Sequence, residues 1–260
     1  MHHVRAGRGA PPLVFVHGFA CSHEDWKFQL EAIGKSSEVV ACDLRGHGAT
    51  PGRPHECSIE HYGGDVAALL ANLDLSKSIL VGHSMGCRVV LEANRLVPDR
   101  VAGIVLVDGS RLASGDPGAA ESGARAAIAK AGYSAFAENL FRQMFFTPSA
   151  LAEATVARAL RQSGEFGPTL WPSMARWDAR EMDAALAAVR SPLLAIQSTT
   201  RDAQLRRSPL KLGDTSPWLE LLKQKVKAAK IEIVPGVGHF PQLEAAERVN
   251  RLLLEFSQKP

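Results

Sequence analysis

Short runs of consecutive apolar residues punctuate the first 110 positions. Leu13-Val14-Phe15-Val16, Val39-Val40-Ala41-Cys42, Ile79-Leu80-Val81 and Ile104-Val105-Leu106-Val107 carry no polar alternation, the pattern of strands buried on both faces of a sheet. Between them the period changes. Trp26, Leu30 and Ile33 recur at helical spacing, as do Tyr62, Val66, Leu69, Leu70 and Leu73 behind Ser58, a residue suited to cap a helix. Strands alternating with helices predict a mostly parallel α/β sheet flanked by helices. Residues 2–6 predict one further short strand at the start.

From Arg111 to Arg190 the alternation stops. Alanine-rich stretches of helical periodicity cover 119–131, 133–146, 149–163 and 179–189, with breaks expected at Gly132, Pro148, Gly167-Pro168 and Pro172. This predicts a helical cap over the sheet edge (111–190), inserted into a core made of 1–110 and 191–260. Phe136, Leu140, Met144 and Phe145 supply its apolar underside. Pro192-Leu193-Leu194-Ala195-Ile196 resumes the sheet. The segment 197–217 reads as a long loop, a length that usually signals function or mobility. A helix over 218–229, a strand at 231–234, a loop at 235–240 and a terminal helix lined by Val249, Leu252, Leu253 and Phe256 complete the chain.

Composition changes this picture little. With 260 residues, 46% hydrophobic and 22% charged, the chain fits one globular domain with a large insertion. The formal charge is +3 and the basic residues are scattered, which argues against nucleic acid as a partner. There is no run of eighteen apolar residues, and Met1-His2-His3-Val4-Arg5 leads directly into a strand-like segment, so the expectation is a cytoplasmic protein without a membrane partner. The four cysteines, Cys21, Cys42, Cys57 and Cys87, have neither metal spacing nor disulfide-framework density.

The candidate chemistry lies at Gly82-His83-Ser84-Met85-Gly86. A strand precedes this G-x-S-x-G sequence and a helical pattern follows it. A turn that sharp holds the serine in a strained conformation and pushes its hydroxyl out at the carboxyl edge of the sheet. A serine hydroxyl needs a base, and the base needs an acid to orient it. Of nine histidines, His239 is the best base, in a glycine-flanked loop after a buried strand. His83 belongs to the turn itself, and His17 and His47 read as loop-structuring. Asp108 and Asp202 both keep the chain order Ser, Asp, His. The backbone N–H groups of Met85 and Phe19 can stabilise a developing oxyanion.

Val-Phe-Val-His-Gly-Phe (14–19), Asp-Leu-Arg-Gly-His-Gly (43–48), Gly-His-Ser-Met-Gly (82–86) and Gly-Val-Gly-His-Phe (236–240), in this order, resemble the α/β-hydrolase superfamily. The resemblance implies a helical cap inserted after the sixth family strand, a Ser84 nucleophile, a His239 base and oxyanion donors at Phe19 and Met85. It also implies that the family's first strand is missing. Most members carry their acid just after the strand that follows the cap, in a glycine-to-aspartate turn; here Ile-Gln-Ser-Thr-Thr-Arg-Asp lacks the glycine. Some relatives place it one strand earlier, where Asp108 stands, and Asp108 is therefore the favoured acid. The implied activity is carboxylic ester hydrolysis through an acyl-enzyme, with no metal or organic cofactor. A thioesterase, lactonase, carbon–carbon bond hydrolase or hydroxynitrile lyase could use the same triad, and a ligand-binding receptor could use the same scaffold. Phe136, Phe141, Phe145, Phe146, Trp171 and Trp177 suggest a small-molecule ester with an apolar acyl or aryl group. Arg206, Arg207 and Lys211 suggest instead a substrate bearing a carboxylate.

Overall fold

The structure is a computed structural model describing residues 1–202 and 204–258. Strand β1 (His3–Ala6) pairs antiparallel with β3 (Val39–Cys42) at one edge of a seven-stranded sheet. Every other pairing is parallel: β3 with β2 (Leu13–Val16), β2 with β4 (Ser78–His83), β4 with β5 (Val101–Val107), β5 with β6 (Leu193–Gln197), and β6 with the last strand (Lys230–Ile233). Pleating explains why the runs are apolar throughout. Leu13 and Phe15 join one core with Ile79, Val81, Val105 and the terminal helix, while Val14 and Val16 join the other with Leu80, Ile104 and Leu106. Helix α1 (Lys27–Ile33) covers the first face; α2 (Ile59–Asn72) and α3 (Met85–Leu96) cover the second.

Five helices lie between β5 and β6: α4 (Pro117–Ala131), α5 (Tyr133–Arg142), α6 (Ala150–Ser163), α7 (Gly167–Arg180) and α8 (Met182–Ala187). They lean over the carboxyl ends of the central strands. Phe141 of α5 stacks on Phe19 just after β2, Trp171 of α7 meets Phe19 edge-on, and Phe166 packs against His47 beyond β3. Asp178 of α7 pairs with Arg88 of α3.

Two expectations fail here. A helix boundary does fall at Gly167-Pro168, where α7 begins, but Pro172 breaks nothing; α7 runs through it. Pro168 lies in the first turn, where a helix needs no N–H from it, and Pro172 costs one internal hydrogen bond. Nine buried residues of α7, Trp171 and Trp177 among them, anchor the helix regardless. The stretch after β6 is likewise not one unstructured loop. Strands β7 (Thr199–Arg201) and β8 (Arg207–Pro209) form a separate antiparallel hairpin, followed by α9 (Pro217–Lys225). The final strand becomes β9, and α10 (Pro241–Glu244) and α11 (Ala246–Ser257) close the chain. No helix among the described residues is long and apolar enough to cross a membrane.

Candidate active site

β4 ends at His83 and α3 starts at Met85, leaving Ser84 alone to reverse direction with φ 53° and ψ −110°. A non-glycine residue held there costs on the order of 1–3 kcal/mol and persists only when its surroundings fix it. Close packing on either side does so. A Cβ at Gly82 would stand 2.3 Å from the Gly86 carbonyl oxygen, and one at Gly86 would stand 2.3 Å from that of Val16. Only glycines let the start of α3 fold back onto β4 and β2 this tightly.

The half-buried Ser84 hydroxyl lies 2.8 Å from His239 Nε2, and His239 Nδ1 lies 2.5 Å from Asp108 Oδ2. Asp108 closes β5 with a positive φ of 44°. Every partner of Asp108 is a donor: the N–H groups of Ser198 and Thr199 at 2.8 Å each, the Thr199 hydroxyl at 2.6 Å, and Arg207 Nη1 at 3.2 Å. The carboxyl group therefore accepts, Nδ1 carries the imidazole proton, and Nε2 is left to accept from Ser84 and, at 3.3 Å, from Arg207 Nη2. The hydroxyl, imidazole and carboxylate form one continuous line.

The histidine is held by its backbone. Its N–H donates to the Met144 carbonyl at 2.6 Å, and its own carbonyl accepts from His83 Nε2 at 2.7 Å. Glu244 accepts from Gly238 and Phe240 N–H, and the Ser198 hydroxyl donates to the Gly238 carbonyl at 2.6 Å. Burial lowers the His239 pKa well below the usual histidine value, and the nearby Arg207, Arg201 and Arg88 push the same way. The imidazole is thus neutral at rest, the form able to accept a proton. His83 is likewise depressed, first by burial and then by His239.

The other candidates separate cleanly. Asp202 is exposed and away from His239; it accepts from Gln204 N–H, Arg206 N–H and Arg206 Nε at the turn of the β7–β8 hairpin. His17 structures the loop after β2, bonding the Gly18 carbonyl through Nδ1 and accepting from Leu44 N–H. Met85 is the first residue of α3, where backbone N–H groups lack helical partners. Gly18, the neighbour of Phe19, packs against Ser84, where an added Cβ would stand 3.3 Å from the serine Cβ.

Three site residues escaped the sequence: Arg88, Thr199 and Arg201. Arg88 had a readable signal, since it lies one helical turn beyond Ser84 on the same face. Thr199 and Arg201 fell in a stretch read as loop. Around Ser84 the described residues leave a space of about 10 Å³, bordered by Phe19, Leu140, Met144, Trp171, Met174 and Phe240. A wider cavity, about 520 Å³, adjoins it on the β7–β8 side, and both are lined by Ser110, Arg201 and Arg207.

The sequence profile of the Alpha/beta hydrolase family matches residues 13–252. The chain belongs to that family. Its seven-stranded, mostly parallel sheet is the fold of this hydrolase family, and the solved relatives share it. A thermophilic esterase from Thermogutta terrifontis superposes with a TM-score of 0.80 at 25% identity, over 99% of this chain and 93% of that one. A putative aryl esterase from Burkholderia cenocepacia gives 0.72 at 25% identity, over 98% and 93%. By sequence, the chain is 30% identical over 254 residues to the dihydrolipoyllysine-residue acetyltransferase component of the acetoin cleaving system of Pseudomonas putida. That match covers 97% of this hydrolase-family chain but only 65% of the relative's length.

Proposed function

We propose that this alpha/beta hydrolase cleaves carboxylic esters through an acyl-enzyme on Ser84. The observation that carries the reading is the hydrogen-bonded line from Ser84 through His239 to Asp108 at 2.8 and 2.5 Å. Ser84 Oγ attacks the ester carbonyl while His239 Nε2 takes its proton. Asp108 holds Nδ1–H and stabilises the imidazolium that forms. The oxyanion accepts hydrogen bonds from Phe19 and Met85 N–H, each worth a few kcal/mol of barrier. Collapse of the tetrahedral intermediate breaks the bond to the leaving alcohol, which takes the proton from His239. Water, deprotonated by the same imidazole, then releases the acid and restores the Ser84 hydroxyl. The helices between β5 and β6 act as a cap in this scheme. Phe19, Trp171 and Met174 offer the apolar wall that an acyl or aryl group packs on, and the small space at Ser84 requires cap or hairpin to move as substrate enters.

The test is covalent labelling. An alkyl fluorophosphonate is expected to modify Ser84 once per chain, and Ser84→Ala to lose about 10³-fold or more in kcat on 4-nitrophenyl esters. Unchanged hydrolysis by Ser84→Ala rules the acyl-enzyme out.

A further inference from the structure

Three guanidinium groups, Arg88, Arg201 and Arg207, border the space at Ser84, and two carboxylates answer them. Arg88 grips Asp178 with both prongs, Nε at 2.7 Å and Nη2 at 2.6 Å. Arg207 donates to Asp108 and, at 2.6 Å, to the Thr199 hydroxyl. Arg201 has neither kind of partner. Its Nε and Nη2 are shielded from solvent and find no acceptor among the described residues, although its guanidinium lies 5.6 Å from the Trp171 ring. Those two nitrogens form the edge with which Arg88 holds Asp178 and Arg45 holds Asp65, the edge that matches the two oxygens of a carboxylate.

Arg201 and Arg207 are direct cross-strand partners in β7 and β8, and like charges placed opposite each other destabilise a strand pair. Burial and the neighbouring Arg207 and Arg88 all disfavour charge on Arg201. A buried, unpaired cation is costly unless something pairs with it. The adjoining cavity of about 520 Å³ does not supply that partner from its own walls. Arg111 there is bonded to Asp183, and Glu220 is occupied by Thr215 and Lys223.

We propose that Arg201, assisted by Arg207, is a carboxylate-binding subsite, and that the substrate is an anionic ester such as a half-ester of a dicarboxylic acid. The carboxylate sits in the wide cavity against the free edge of Arg201, and the ester reaches past Ser110 to Ser84. This rests on the Ser84 hydrolase reading above. A single negative charge balances the excess of three cations over two carboxylates. It also removes part of the repulsion that opposes a proton on His239, so bound anion strengthens the base as well as holding the substrate. Apolar contacts remain for the linking chain.

The experiment compares mono-4-nitrophenyl succinate, glutarate and adipate with their methyl esters. In the wild type the best half-ester is expected to exceed its methyl ester about tenfold or more in kcat/KM, with part of the gain in kcat, and the advantage shrinks as salt is added. In Arg201→Gln the half-ester to methyl-ester ratio falls about thirtyfold, and Arg201→Lys, which keeps the charge but not the two-pronged edge, recovers only part of it. A wild-type ratio at or below one for every chain length overturns the proposal, as does an unaltered ratio in Arg201→Gln. Should Arg201→Gln not fold, the wild-type ratio and Arg201→Lys decide. Calorimetric binding of adipate to Ser84→Ala, with and without Arg201→Gln, separates the two readings. Binding that depends on Arg201, together with hydrolysis that survives Ser84→Ala, keeps the subsite and removes the Ser84 chemistry. Absence of adipate, glutarate and succinate binding to Ser84→Ala removes the subsite whatever Ser84 does.

Discussion

Asp108 owes its position to the backbone more than to its own side chain. It closes a buried strand with a positive φ, and both N–H groups that bind its Oδ1 come from the first residues after β6. Asparagine fits the same space but presents an amide where His239 needs an acceptor, so the imidazole turns the wrong tautomer toward Ser84. Asp108→Asn is expected to keep the fold and lose about 10⁴-fold in kcat. Asp202→Asn, at the hairpin turn, is expected to cost about tenfold or less. A collapse of kcat in Asp202→Asn alone reverses the assignment. The neighbouring cations make a second prediction at this scale. Because His239 is held well below the ordinary histidine value of about 6.5, the acid limb of kcat/KM should fall below that pH. Arg207→Gln removes a cation that disfavours the imidazolium, so the imidazole protonates more readily and the limb moves to higher pH. A pH–rate profile in both proteins checks the sign.

At the scale of elements, helix α7 is tied to the body by the Arg88–Asp178 pair, both side chains almost wholly buried. Asp178 accepts from Leu112 N–H as well, at 2.6 Å, so one carboxylate joins α3, the segment after β5 and α7. Burial raises its pKa despite the pull of Arg88, which shows how much solvation the pair has surrendered. Breaking it from one side strands a charge. Asp178→Asn is expected to lower stability by about 3–5 kcal/mol, while Arg88→Met with Asp178→Leu recovers most of that; denaturant unfolding of the three proteins measures it. The same elements show what the sequence makes legible. Strands covered on both faces leave unbroken apolar runs, and the Ser84 turn leaves its glycines, so the sheet and the setting of Ser84 could be read locally. Helix α7 could not, because tertiary burial of Trp171 and Trp177 overrides a proline that local rules treat as a stop. The β7–β8 hairpin could not either. Its strands are three residues each with little apolar content, and what fixes Arg201 beside Arg207 is the pairing, which lies beyond any local pattern. Asp108 stood between: its strand was plain, but preferring it to Asp202 needed the direction that β5 imposes.

Across the whole molecule, four imidazoles are buried and depressed: His17 and His83 first by burial, His47 by burial and then by His17 to about 3, and His239 by burial and then by Arg207. His83 ends β4 and the other three lie in different loops, all at the carboxyl edge of the sheet. In the unfolded chain each takes a proton near pH 6.5; in the folded protein each resists it. Their contribution to stability is therefore complete above about pH 6.5 and is lost as the pH falls below it. Each costs about 1.4 kcal/mol per pH unit once the unfolded form is protonated and the folded form is not. Where more than one folded imidazole stays neutral these losses add, against a total stability on the order of 5–15 kcal/mol. The buried carboxyl of Asp178 and the half-buried one of Glu244, raised by burial, work in the opposite direction. Against its own burial, Asp43 is held to about 2 by N–H bonds from Ala49 and His23, and adds its loss only under more acid conditions. The denaturant midpoint is thus expected to be level from about pH 8 to 7 and to drop steeply between about pH 6 and 5, with unfolding taking up several protons. His47→Gln should flatten that slope, since the imidazole held to about 3 is gone. A midpoint that stays level to pH 5, or a slope untouched in His47→Gln, contradicts this; the same burial that keeps the His239 imidazole neutral is what makes the fold acid-labile.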